Sequence, residues 1–173
     1  MSEALVVDAS AALAYLLVEP EGPVVREALL DHLRDGGRIL VPELFWLEVV
    51  NSLVRRHTPL REVVAMLRDL DELPVETATG DRTLLMLAAT LMDKHGLTAY
   101  DAAYLALADT MDADLLTLDR RLGGAAGRRS PLTHAGGTHE TLEPYGSSAA
   151  EIVAAHGSYL AELRRQADAG VLV

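Results

Sequence analysis

Over residues 4–122, short apolar runs alternate with longer stretches of helical periodicity. The first run is Leu5-Val6-Val7, which ends in Asp8. The second is Ile39-Leu40-Val41, closed by Pro42. A third spans Pro74 to Thr77, and a fourth spans Leu115 to Leu118 and is followed by Asp119. Such runs, bounded by turn residues, read as buried strands. The stretches between them predict helices over 10–17, 23–34, 43–56, 59–72, 81–95 and 99–112. Ser10 is the expected cap of the first, and Thr98 that of the last. Parallel neighbours in a sheet need a crossover, and the helices supply it. The pattern therefore specifies an α/β fold on a central, mainly parallel sheet.

The pattern changes after Leu122. Gly123 to His139 contains five glycines and reads as a loop or linker. Ser148 with Glu151 is a capping box signature. It precedes an expected helix over 149–168, with Ile152, Tyr159, Leu160 and Leu163 on one side. That divides the chain into a domain over 1–130 and an extension over 131–173, a glycine-rich segment plus a helix. The helix either packs on the domain surface or covers a groove used by a partner. His134 and His139 lie in the glycine-rich stretch and read as ordinary loop histidines.

Composition excludes several function classes. Cysteine is absent, which removes disulfides, thiolate zinc sites and a cysteine nucleophile. The net charge is -11, so coating of nucleic acid by bulk positive charge is excluded. Aromatics at 4% are too few for a platform of rings stacked on bases. The N-terminus lacks the basic opening of a secretory signal, and no apolar run reaches membrane-spanning length. The expectation is a cytoplasmic protein with no membrane partner.

Four acids stand in unusual places. Asp8 and Asp119 each follow a strand, and ligands of parallel sheets bind at the carboxyl ends of strands. Glu48 lies inside Leu44-Phe45-Trp46-Leu47-Glu48-Val49-Val50, and Asp101 inside Tyr100-Asp101-Ala102-Ala103-Tyr104. A carboxylate among apolar residues needs a partner. Each has a local explanation: an Asx turn for Asp8, a favourable helix-dipole contact for Asp101. Yet no arginine or lysine lies within four residues of Asp8, Glu48 or Asp101. Four acids, three of them without a local cation, point to a shared cation, and oxygen-only ligation suits Mg²⁺ or Mn²⁺. Asn51 follows Glu48 by three residues and shares its helix face. It is a candidate to orient Glu48 or touch a phosphate.

These residues, in order, carry a resemblance. Val-Val-Asp8-Ala-Ser10, Glu48-Val-Val-Asn51, Tyr100-Asp101-Ala-Ala-Tyr104 and Leu-Leu-Thr117-Leu-Asp119 resemble the PIN domain, and within it the VapC-like toxins of bacterial toxin–antitoxin pairs. The resemblance covers about residues 4–122. It implies a three-layer α/β/α sandwich and a metal-dependent endoribonuclease. It implies Asp8, Glu48, Asp101 and Asp119 as catalytic metal ligands, with Thr117 as the supporting hydroxyl and Ser10 at the small polar position after the first aspartate. It also implies an RNA substrate and a small antitoxin partner, and the apolar helix 43–56 would suit an antitoxin or a homodimer. Arg120 and Arg121, directly after Asp119, are the candidate RNA contacts, and Arg55, Arg56, Arg128 and Arg129 are further local cations. The resemblance departs after Leu122, where such toxins add a short final strand and this chain turns glycine-rich. Two other functions compete. One is a PIN-fold interaction module whose acids hold a partner or an idle ion. The other is a phosphohydrolase with Asp8 as nucleophile, disfavoured because Ser10 stands where a second aspartate is expected.

Overall fold

The Leu5-Val6-Val7 run lies inside the sheet. Strand β1 (Ala4–Val7) is buried at all four residues. Successive side chains of a strand point to opposite faces, so both faces of β1 are covered. The same holds for the last four residues of β2 (Arg38–Pro42). The computed structural model describes residues 2–127. Its strands form one sheet in the order β3-β2-β1-β4, with every pairing parallel.

Helices make each crossover. Helices α1 (Ala9–Leu16) and α2 (Gly22–Arg34) lead from β1 to β2. Helices α3 (Leu44–Arg55) and α4 (Leu60–Asp71) lead on to β3 (Val75–Ala78). Helices α5 (Arg82–His95) and α6 (Ala99–Thr110) lead to β4 (Asp114–Leu116), and α7 (Arg120–Ala126) follows. The result is the expected α/β architecture, a central parallel sheet flanked by helices. A Cβ on Gly22 would stand 2.6 Å from the Ala14 carbonyl oxygen, so glycine allows α2 to begin against α1. Among the described residues no helix is long and apolar enough to cross a membrane.

Helix α6 is apolar on nearly every side. Ala102, Tyr104, Leu105, Ala106, Leu107 and Ala108 are all buried. Its alanines let it lie close to α5 on one side and to β1, β2 and β4 on the other. Burying a leucine or aromatic side chain is worth about 1.5–3 kcal/mol. That burial, more than helix propensity, holds α6 in place.

The chain leaves β1 toward β2 on one side, while β4 joins β1 on the other. Ligands of α/β sheets bind at such a reversal, beyond the carboxyl ends of the strands, which here are those of β1 and β4. Asp8 stands at that point, and its amide extends the ladder by donating to the Leu116 carbonyl at 3.0 Å.

Two local expectations are corrected. The cap of α1 is Asp8, not Ser10: the Asp8 backbone is extended and its carboxylate accepts from the Ser10 amide. The Ser10 hydroxyl instead bridges Asp8 and the segment after β4. The loop expected from Gly123 begins later, because α7 runs through Gly123 and Gly124 to Ala126. Asp119 caps two of its amides, and Leu122 is fully buried. Capping and burial together outweigh a glycine penalty of about 1 kcal/mol per residue. The boundary at 130, Arg128, Arg129, His134, His139, the Ser148–Glu151 capping box and the helix over 149–168 lie outside the described residues.

Candidate active site

Asp8 is only 6% exposed. Its Oδ2 accepts from the Thr117 hydroxyl at 2.9 Å, from the Ser10 amide at 3.3 Å and from the Ser10 hydroxyl. Both hydroxyls are held from behind by backbone amides. Ser10 Oγ accepts from the Leu118 amide at 3.0 Å, and Thr117 Oγ1 from the Asp119 amide at 3.0 Å. Each amide occupies a hydroxyl lone pair and leaves the O–H aimed at Asp8. The hydroxyl pair thus ties the end of β1 to the segment after β4. Burial nonetheless pushes the Asp8 carboxyl above its ordinary value, outweighing these hydrogen bonds.

Glu48 enters from α3, half-buried. Its Oε2 accepts from the Tyr104 hydroxyl at 2.5 Å. Burial raises its carboxyl first, and the charges of Asp8 and Asp101 raise it further, against the Tyr104 hydrogen bond. Glu48 on α3 therefore feels the charges of Asp8, just after β1, and of Asp101 on α6. Asp101 sits in the first turn of α6. Its amide donates to Thr98 Oγ1 at 3.2 Å, and that hydroxyl donates back to Asp101 Oδ2 at 2.7 Å. Asp101 thus serves the helix cap as well as the acidic group.

Asp119 is linked to Asp8 through Thr117. Its Oδ1 accepts from the Arg121 and Leu122 amides, both at 2.8 Å, and starts α7. Among the described residues no three acidic or histidine side chains, as they stand, are gathered tightly enough to hold one ion. Each carboxylate of the group has an oxygen turned to a hydroxyl or amide donor instead. The donor set is still that of a hard cation, since every candidate ligand is a carboxylate oxygen. Burial disfavours the charged forms of Asp8 and Glu48, neighbouring charge adds to this at Glu48, and a divalent cation beside them would offset both. The residues fit such an ion chemically.

The PIN domain family model matches residues 5–127. The chain belongs to the PIN domain family. It is 36% identical to Ribonuclease VapC3 of Pyrobaculum aerophilum over 123 residues, which cover 68% of this chain and 91% of that one. Two solved structures share the fold. One is the Mycobacterium tuberculosis VapC20, described as a Sarcin-Ricin loop cleaving toxin: TM-score 0.56, 16% identity, 70% of this chain and 94% of that one. The other is PAE2754 from Pyrobaculum aerophilum: TM-score 0.52, 23% identity, 70% of this chain and 83% of that one.

Within this PIN domain the remaining candidates separate. Asn51 is exposed on α3. Arg120 is exposed beside Asp119. The Arg121 guanidinium donates to the Gly96 carbonyl at the end of α5. Arg56 pairs with Glu19 at 2.7 Å, while Arg55 is exposed. Tyr104 joins the site although the acids alone did not mark it. Burial and the Glu48 hydrogen bond push its phenol far above the ordinary value, so it stays a donor. Its sequence signal is a tyrosine three residues after Asp101 in an otherwise apolar helix, where a buried hydroxyl must find an acceptor.

Proposed function

We propose that this chain is a metal-dependent endoribonuclease hydrolysing RNA phosphodiesters, the toxin of a toxin–antitoxin pair. One observation carries the reading. Glu48 on α3 lies within electrostatic reach of Asp8, which follows β1, and of Asp101 on α6, and the charges of both aspartates raise its carboxyl. Membership of the PIN family and the likeness to Ribonuclease VapC3 support it.

Asp8, Glu48 and Asp101 would hold Mg²⁺ or Mn²⁺, with Asp119 joining directly or through water. A divalent ion supplies Lewis acidity to the phosphodiester and a nucleophilic water at neutral pH. Ser10 and Thr117 fix the Asp8 carboxylate, and the sheet beneath excludes water from its inner side. Arg120, exposed beside Asp119, is a cation able to meet a phosphate. The whole chain is acidic at -11, so RNA binding rests on local contacts and weakens steeply with salt. The reading includes two protein partners, a small antitoxin and a second copy of the chain. Leu47 and Leu60, 74% and 75% exposed on α3 and α4, are apolar side chains such a partner would cover.

Cleavage of mixed transfer and ribosomal RNA tests the proposal, with Mg²⁺, with Mn²⁺ and with chelator, and with Asp101→Asn beside the wild type. Cuts that need metal and vanish in the variant are expected. Cutting that persists in chelator, or equally in Asp101→Asn, would refute the metal mechanism.

A further inference from the structure

Resting on the nuclease reading, we infer that Tyr104 is a positioning residue. Its hydroxyl holds Glu48 Oε2 and so presents the other carboxylate oxygen to the cation.

The geometry is specific. Tyr104 is fully buried and belongs to the face of α6 that also carries Asp101, one turn earlier. Its ring packs in the core, and its hydroxyl crosses to α3 to reach Glu48 at 2.5 Å, 56 residues away in sequence. Among the described residues the structure assigns Glu48 Oε1 no hydrogen-bond donor. One carboxylate oxygen is fastened and the other is left for a ligand.

Core packing alone does not explain a tyrosine here. A phenylalanine would fill the same space without desolvating a hydroxyl, which costs free energy unless it is bonded. Among the described residues the acceptor that offsets this cost is Glu48, a candidate metal ligand. The hydroxyl also joins the two helices that bring Glu48 and Asp101 to the site, so it sets their relative position. Partners of this kind behind a metal ligand fix its orientation, and their loss weakens metal binding about 10–100-fold.

Calorimetric titration of Mn²⁺ into the metal-free full chain tests this, comparing wild type, Tyr104→Phe, Glu48→Gln and the double variant. Phenylalanine keeps the ring, and thermal unfolding of each metal-free protein checks that the fold survives. Mn²⁺ affinity should fall at least tenfold in Tyr104→Phe. In the Glu48→Gln background the same change should have less than a threefold effect, because the group being positioned has already been altered. RNA cleavage by Tyr104→Phe should show a lowered kcat with KM within twofold. Mn²⁺ affinity within threefold of wild type, or an equal loss in both backgrounds, would overturn the positioning role and leave the nuclease reading standing. A wild type that binds no Mn²⁺ would overturn both.

Discussion

Replacing Glu48 with glutamine should stabilise the metal-free protein. The Glu48 carboxyl is raised above its ordinary 4.5 by burial first and by the charges of Asp8 and Asp101 after it, while the Tyr104 hydroxyl pulls it down. The folded chain therefore holds this proton more tightly than the unfolded chain. Its contribution to stability is fully present below the ordinary value and is lost as pH rises through the higher folded value. Above that folded value the loss is in place. Glutamine carries no charge at any pH and keeps an oxygen for the Tyr104 hydroxyl. Glu48 is half-exposed, so solvent screens each repulsion to roughly 0.5 kcal/mol, about 1 kcal/mol for the two. For a chain of this length that is a melting-temperature gain of about 2–4 °C. Thermal unfolding by circular dichroism in chelator, at pH 7.5 and pH 4, reads it directly. Glu48→Gln should melt higher at pH 7.5, and the gap should close near pH 4, where Glu48 is protonated. Added Mn²⁺ should raise the wild type more than the variant. A variant that melts lower than wild type at pH 7.5, or a gap unchanged by pH, would refute the account of strained carboxylates.

The remaining contacts make further predictions at three residues. Thr117→Val removes a donor to Asp8 and the acceptor of the Asp119 amide, so urea unfolding should show a loss of about 1–3 kcal/mol. Its Mn²⁺ affinity by calorimetry should fall about 10–100-fold, and wild-type affinity would count against the hydroxyl support. Arg120→Ala should weaken RNA binding and lower the salt-dependence slope by about one, without changing stability. Arg121→Ala should instead cost stability of about 1 kcal/mol through the lost Gly96 contact, and equal RNA effects of the two substitutions would contradict this division.

Much of the layout is local and therefore legible in the chain. Leu5-Val6-Val7 and Ile39-Leu40-Val41 announce buried strands because their apolar side chains point to both faces. Thr98 with Asp101 announces the start of α6, and the structure shows both hydrogen bonds of that cap. Other features depend on neighbours distant in sequence. The glycines of α7 read as a loop because propensity ignores the burial of Leu122 and the two amides capped by Asp119. Ser10 reads as a cap because its bond from the Leu118 amide lies 108 residues away. Arg121 reads as a free cation because nothing local reveals the Gly96 carbonyl.

The sequence by itself determined the alternation of strands and helices and the four acids set among apolar residues. Both are consequences of side-chain period and local composition. Only the tertiary structure decided that β1 lies between β2 and β4, since strand order is settled by packing between distant segments. That order sets Glu48 within reach of the charges of Asp8 and Asp101, links Asp119 to Asp8 through Thr117, and joins Tyr104 to Glu48. A carboxylate's chemistry is set by the charges and donors around it in space, and the chain order alone does not contain them.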